Sequence, residues 1–119
     1  MILRTMFVLA VPCLETSAGF YRDVLGFEIR EIGDPGWRMF TRDGARIMAG
    51  ECPEAIAPSD LGVHSYCAYF VVSDAQSYHD EVKARGAEIL KAVRDEPWGM
   101  REFAIRTVDG HRIMVGQEL

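Results

Sequence analysis

Asp43-Gly44-Ala45-Arg46-Ile47-Met48-Ala49-Gly50 recurs sixty-six positions later as Asp109-Gly110-His111-Arg112-Ile113-Met114-Val115-Gly116, with six of the eight residues identical and both glycines and the methionine in register. Identity this dense in so short a chain marks an internal repeat, and a repeat outranks other fold signals. A weaker echo at an offset of sixty sets Val11, Ser17, Gly26, Glu28 and Ile29 against Val71, Ser77, Gly86, Glu88 and Ile89. The chain reads as two copies of one small unit.

Working outward from the first copy of the repeat, Thr5 to Leu14 is apolar and β-prone. Glu15-Thr16-Ser17 offers cap residues to a helix carrying Ala18, Phe20, Tyr21, Val24 and Leu25 at helical spacing, and Gly26 closes it as a left-handed C-cap. Phe27 to Glu31 is extended, Gly33-Asp34-Pro35-Gly36 is a turn, and Trp37 to Arg42 pairs with Arg46 to Gly50 across the tight Asp43-Gly44 hairpin. The first unit is βαβββ. Glu51 to Val63, with Pro53, Pro58 and Gly62 and neither period, reads as a linker. Ser65 to Val72 is then a strand, Ser73-Asp74 caps a helix with Ala75, Tyr78, Val82 and Ala84, and Gly86 ends it. Ala87 to Val93, Arg101 to Val108 and His111 to Gly116 complete a second βαβββ unit, with about six extra residues between its helix and its closing hairpin. The expected organisation is one domain over residues 1–119, with unit 1 at about 4–51, a linker at about 52–63 and unit 2 at about 64–117.

The bulk numbers narrow the function classes. Of 119 residues, 49% are hydrophobic and 26% charged, a globular balance, and no apolar run nears the roughly 20 residues that span a bilayer. A net charge of -5 and the lack of a basic stripe argue against a nucleic-acid partner. Cys13, Cys52 and Cys67 are odd in number and widely spaced, which suits free thiols and neither a disulfide framework nor a zinc site. Met1 to Ala10 lack a basic n-region and a small-residue cleavage site, so they read as a first strand and a cytoplasmic location is expected.

Paired βαβββ units, with Phe20-Tyr21-Arg22-Asp23-Val24-Leu25-Gly26-Phe27 in the first helix and Asp109-Gly110-His111-Arg112-Ile113 before the last strand, resemble the vicinal oxygen chelate superfamily over nearly the whole chain. The resemblance implies an α+β fold in which each unit curls into half a barrel and the two halves form a cup for a small ligand, often across a homodimer. Its members include glyoxalase I, extradiol dioxygenases and proteins that only sequester bleomycin or mitomycin, so the fold does not choose the activity.

The family's enzymes hold one divalent metal through four residues on the first and last strands of the two units. Counted from Gly26, Asp43, Gly86 and Asp109, those positions are Met6, Met48, Cys67 and Met114 here. None is a hard ligand, whereas Mg²⁺, Mn²⁺, Ni²⁺ or Fe²⁺ would call for imidazole or carboxylate. The expectation is a protein with no metal site and no cofactor. Three Met and one Cys would suit Cu(I) in principle, but these are also common packing residues.

Glu96-Pro97-Trp98-Gly99-Met100-Arg101-Glu102-Phe103-Ala104 resembles the Pro-Trp-Gly to Arg-Glu-Phe stretch of bleomycin resistance proteins, which implies that Trp98 stacks on a planar ligand. A Trp between Pro and Gly is held on a stiff approach with open space beside it, although it could equally cap the core. Trp37, past the Asp34-Pro35-Gly36 turn, occupies the matching place in unit 1 and implies an opposite aromatic wall; a core role fits it as well. Arg101 and Glu102 alternate in their strand, so one faces the cup, and sequence leaves open which. Tyr66 and Tyr69 fall on opposite faces, with Tyr69 sharing the face of Cys67 and offering a hydroxyl.

His64, His79 and His111 read as solvated residues, and no Ser-His-Asp or Cys-His spacing stands out. No catalytic residue is assigned, and Glu102 is the one carboxylate worth testing as an acid or base. The expected function is metal-free capture of a planar aromatic or cationic small molecule such as an antibiotic. Its ligand contacts would be Trp37, Trp98, Tyr69, Arg101, Glu102, Met6, Met48, Cys67 and Met114. The alternative is a glyoxalase-, lyase- or dioxygenase-like enzyme with an atypical or absent metal site.

Overall fold

The computed structural model describes residues 1–119, which divide into two compact units, Met1–Ile56 and Ala57–Leu119. Unit 1 runs β1 (Phe7–Val11), α1 (Leu14–Asp23), β2 (Glu28–Glu31), β3 (Trp37–Arg42) and β4 (Ala45–Glu51). Its open sheet has the order β1-β4-β3-β2, with β1 parallel to β4 and the other pairs antiparallel. Alternation gives the sheet two unlike faces. Leu9, Val11, Phe40, Ile47 and Ala49 are buried, as are Leu14, Ala18 and Tyr21 of α1. The Tyr21 ring lies 4.7 Å from that of Phe40 and 5.5 Å, edge-on, from that of Phe27. The opposite, helix-free face carries Val8, Met48, Met39, Trp37 and Gly50 by register.

Unit 2 repeats the plan with a single turn of 3-10 helix (Pro58–Leu61), then β5 (Tyr66–Val71), α2 (Ala75–Ala84), β6 (Glu88–Glu96), β7 (Met100–Arg106) and β8 (Arg112–Glu118), in the sheet order β5-β8-β7-β6. Its core is Phe70, Ala75, Val82, Phe103, Ile105, Ile113 and Val115. The extra residues expected before the closing hairpin lengthen β6 to nine residues, against four in β2, and β6 shifts register twice along β7.

The signals at helix ends are partly as read from sequence. Gly26 (φ 79°) and Gly86 (φ 98°) take the left-handed conformation, and the Phe27 amide donates back to Tyr21 O at 2.8 Å, closing α1. Asp74 caps α2, its carboxylate accepting from the Ser77 amide at 3.0 Å and the Ser77 hydroxyl at 2.8 Å. The start of α1 differs. Glu15, Thr16 and Ser17 lie inside the helix, Cys13 holds the cap position without a side-chain cap bond, and the Leu14 amide instead donates to Glu51 Oε1 at 3.0 Å.

Unit 2 has the same device: the Ala75 amide donates to Gln117 Oε1 at 3.0 Å. Glu51 and Gln117 each follow the last glycine of the repeated octapeptide, so in both copies the final strand supplies an acceptor to the orphan amides of its own helix. Replacing Glu51 by alanine is expected to cost about 1 kcal/mol of stability. An unchanged urea midpoint would rule the cap out.

Residues 51–63 are not wholly irregular. Glu51 completes β4, Pro58–Leu61 forms the 3-10 turn, and the Ser65 hydroxyl donates to Pro58 O at 3.2 Å and Gly62 O at 2.9 Å. No helix is long and apolar enough to cross a membrane.

Candidate functional site

The chemistry-bearing residues of unit 2 collect on the sheet face away from α2. Phe103 turns toward that helix, its ring 5.3 Å from that of His79 and 6.3 Å from that of Tyr78. Its neighbours Glu102 and Ala104 therefore face the other way. Cross-strand register brings Lys91 opposite Ala104, Gly116 opposite Glu102, and Met114 opposite both Ala104 and Tyr69. Of Arg101 and Glu102, it is Glu102 that lies on the sheet face away from α2. Arg101 lies on the other face of β7, where its guanidinium pairs with Asp95 at 2.7 and 3.2 Å, so it is not brought together with the rest.

Glu102 is the centre of the cluster. It is only 4% exposed and accepts three bonds: Tyr69 Oη to Oε2 at 2.6 Å, Trp98 Nε1 to Oε2 at 3.1 Å, and Lys91 Nζ to Oε1 at 2.9 Å. Burial pushes its carboxyl up, but Tyr69, Trp98 and Lys91 together outweigh burial and leave it below its ordinary value. Tyr69 moves oppositely: burial first, then the bond to the Glu102 carboxylate, raise its phenol well above the usual range. Lys91 also pairs with Glu96 Oε1 at 2.9 Å, and Arg94 holds both oxygens of Glu96, at 2.7 and 3.0 Å. The Arg94 and Lys91 bonds lower the Glu96 carboxyl to about 2. Two carboxylates and two cations balance, as buried charge requires.

Trp98 sits in the turn between β6 and β7, where Gly99 (φ 84°) donates its amide to Glu96 O at 3.0 Å. Its indole is 62% exposed, although its N–H is anchored on Glu102 and the Lys91 ammonium lies 5.7 Å from the ring centroid. The result is a fixed, solvent-facing aromatic plane.

The repeated glycines have a role beyond turn making. A Cβ on Gly116 would lie 2.7 Å from Tyr69 Cζ and 3.0 Å from Cε1, so the bare backbone at Gly116 is what lets Tyr69 cross β8 and reach Glu102 on β7. In unit 1, a Cβ on Gly50 would lie 2.8 Å from Trp37 Cη2. Each copy thus lays an aromatic ring over the last glycine of the repeat. The half-buried Trp37 contacts its own sheet, and its neighbour Arg38 bonds to Trp37 O at 2.9 Å.

Of the four positions matched to the family's metal ligands, Met6 precedes β1 and is exposed, Met48 pairs with Val8 and Met39, and Met114 pairs with Tyr69. Cys67 falls where β5 slips its register on β8. There Tyr66 comes opposite Arg112 and Ala68 opposite Ile113, so strict alternation does not carry through Cys67, and the expected placement of Tyr66 and Tyr69 on opposite faces is not kept. Burial pushes the Cys67 thiol up to about 11, leaving it protonated at neutral pH. Thioethers and a protonated thiol do not fit a hard divalent cation. No group of three or more His, Cys, Asp or Glu gathers as a metal site elsewhere.

The histidines need correction. His79 is not on a solvated helix face; it packs edge-on against Phe103. His111, expected in the open hairpin, is 8% exposed, its amide bonded to Thr107 Oγ1 at 3.1 Å and its Nδ1 without a partner. Burial lowers the affinity of this imidazole for a proton, partly countered by the Asp109 carboxylate. Since the unfolded chain binds that proton at about 6.5 and the folded chain resists it, stability should fall as the pH drops below about 7, by at most about 1.4 kcal/mol per unit. The expected outcome is a shallower loss of stability between about pH 7.5 and 5.5 in His111→Gln than in the parent. Parallel curves for the two proteins would refute it.

Two open sheets, each backed by one helix and built by a repeated βαβββ unit, define an α+β protein of the paired βαβββ class. The chain matches the Glyoxalase/Bleomycin resistance protein/Dioxygenase superfamily over residues 3–115, and it belongs to that family. No match is found among curated proteins. Solved structures with the same fold include a bleomycin resistance determinant encoded on the transposon Tn5, at TM-score 0.81 and 22% identity over 98% of each chain. Another is the bleomycin-binding protein of bleomycin-producing Streptomyces verticillus complexed with copper(II)-bleomycin, at TM-score 0.74 and 23% identity over 97% of this chain and 95% of that one. A third is TnmS3, an antibiotic binding protein from Streptomyces sp. CB03234, at TM-score 0.75 and 18% identity over 100% and 99%. At these identities the likeness is one of fold.

Proposed function

We propose that this protein captures a planar aromatic small molecule, cationic or amphipathic and of the antibiotic type, by stoichiometric binding and not by catalysis. The observation that carries this reading is Trp98, a solvent-facing indole whose N–H is fixed on the buried Glu102 carboxylate. An aromatic plane held in one orientation loses little freedom on stacking, which favours binding. The same cluster is poorly suited to proton transfer. Glu102, the one carboxylate worth testing as a base, already accepts from three donors and is held below its ordinary value. A bleomycin-binding protein, an antibiotic binding protein and a bleomycin resistance determinant of the same fold support the reading. Tyr69, Met114 and Cys67 are the further contacts proposed in unit 2; Trp37, Met6 and Met48 are proposed separately as the ligand contacts of unit 1, in a homodimer working in the cytoplasm.

Titration with copper(II)-bleomycin and with unrelated planar aromatics, followed by tryptophan emission and calorimetry, tests the proposal. Saturable one-to-one quenching that is lost in Trp98→Ala is expected. Emission indifferent to every ligand, or an unchanged affinity in Trp98→Ala, would sink it. A stoichiometric, tightly held divalent ion in protein purified without chelator would instead favour the enzymatic alternative, and sedimentation tests the dimer.

A further inference from the structure

Lys91 carries no mark in the sequence, yet it bridges both carboxylates of the cluster and lies near the Trp98 ring. Its ammonium lies 2.9 Å from Glu102 Oε1, 2.9 Å from Glu96 Oε1 and 5.7 Å from the Trp98 ring centroid. Its side chain is also partly open to solvent, in contrast to the two carboxylates it bridges. We propose that Lys91 is a built-in placeholder for the cation of the ligand: a planar aromatic with a fixed positive charge displaces the Lys91 ammonium from Glu102 and the Trp98 face, and Lys91 thereby sets specificity by competition. This inference rests on the capture function proposed above and names its ligand class.

The charge balance favours such an exchange. When Lys91 swings out, Glu96 keeps both bonds to Arg94, so no carboxylate is stranded there. Glu102 keeps Tyr69 and Trp98 on Oε2, and only Oε1 loses its partner. What opens is one carboxylate oxygen beside one exposed indole face, a pair of features that a cationic arene satisfies at once. A neutral arene gains the stacking surface but leaves Oε1 bare, so it does not displace Lys91. An anionic arene meets Glu102 and is repelled.

N-methylquinolinium and its neutral near-isostere quinoline are suitable probes, titrated by calorimetry at about pH 7.5 into the parent protein and into Lys91→Met. Removing the competitor is expected to tighten N-methylquinolinium by about tenfold or more and to leave quinoline within about twofold. A wild-type measurement covers the case in which Lys91→Met folds poorly. The chain has one other lysine, the exposed Lys83 on α2, which serves as an internal reference for acetylation read by mass spectrometry. Saturating N-methylquinolinium should raise labelling of Lys91 relative to Lys83, and quinoline should not.

Equal tightening of both probes, no tightening of either, or protection of Lys91 by the cation would overturn the assignment. If copper(II)-bleomycin still quenches Trp98 in that event, capture stands and only the role of Lys91 falls. Failure of every aromatic to bind would remove both.

Discussion

Replacing Glu102 by leucine is expected to lower the unfolding free energy by about 3 kcal/mol. The carboxylate is buried and satisfies a phenol, an indole and an ammonium, so removing it leaves Tyr69 Oη and Trp98 Nε1 without an acceptor and Lys91 with Glu96 alone. Most of the loss comes from these stranded donors and not from the attraction that disappears. The paired change Glu102→Leu with Lys91→Met should therefore recover part of it, because the cation no longer has to be accommodated. Glu102→Gln, which keeps acceptor oxygen, should be milder than leucine. Urea unfolding of the four proteins decides the matter. A leucine variant within about 0.5 kcal/mol of the parent would show that the cluster is solvated and not structural.

Gly116→Ala is expected to cost about 2–3 kcal/mol, although it adds one methyl group to a strand, where alanine is ordinarily acceptable. The new Cβ would sit 2.7 Å from Tyr69 Cζ and closer still to the hydroxyl oxygen, so the ring must leave β8 and its bond to Glu102 must break. Gly116→Ala combined with Tyr69→Ala should then cost less than the sum of the two single changes. Strict additivity would mean that Tyr69 does not depend on the bare backbone beneath it. The same substitution at Gly50 should push Trp37 off its sheet, visible as a change in near-ultraviolet circular dichroism.

The repeat Asp43 to Gly50 and Asp109 to Gly116 carries the fold, because two closely matching hairpins with glycine-ended helices before them leave little choice but βαβββ twice. The Pro-Trp-Gly context and strand alternation single out Trp98, Tyr69 and the pair Arg101 and Glu102 as candidates, and Tyr69 and Trp98 both bond to Glu102. Arg101 could not be separated from Glu102 without register, since either face of β7 was open to it. Lys91 carries no signal in the sequence because a lysine in a strand resembles a solvated charge; the register shift of β6 beside it turns it to the face of Glu102. The glycine at the end of each repeat was a usable clue. A glycine kept inside a strand away from any turn signals a close approach by another group, here an aromatic ring. The polarity of His79 and His111 suggests exposure, whereas both side chains are largely covered by neighbours that their local sequence does not announce.

The acceptors that follow the repeat, Glu51 to the Leu14 amide and Gln117 to the Ala75 amide, tie the last strand of each copy to the first turn of its helix. Fraying at the strand terminus therefore unlatches the helix start, and the two openings become one thermally activated event. Hydrogen-deuterium exchange should find the Ala75 amide exchanging in step with the end of β8, and the Leu14 amide in step with the end of β4. Each copy would then breathe as its own cooperative unit, a kinetic trace of the duplication written into its shared octapeptide.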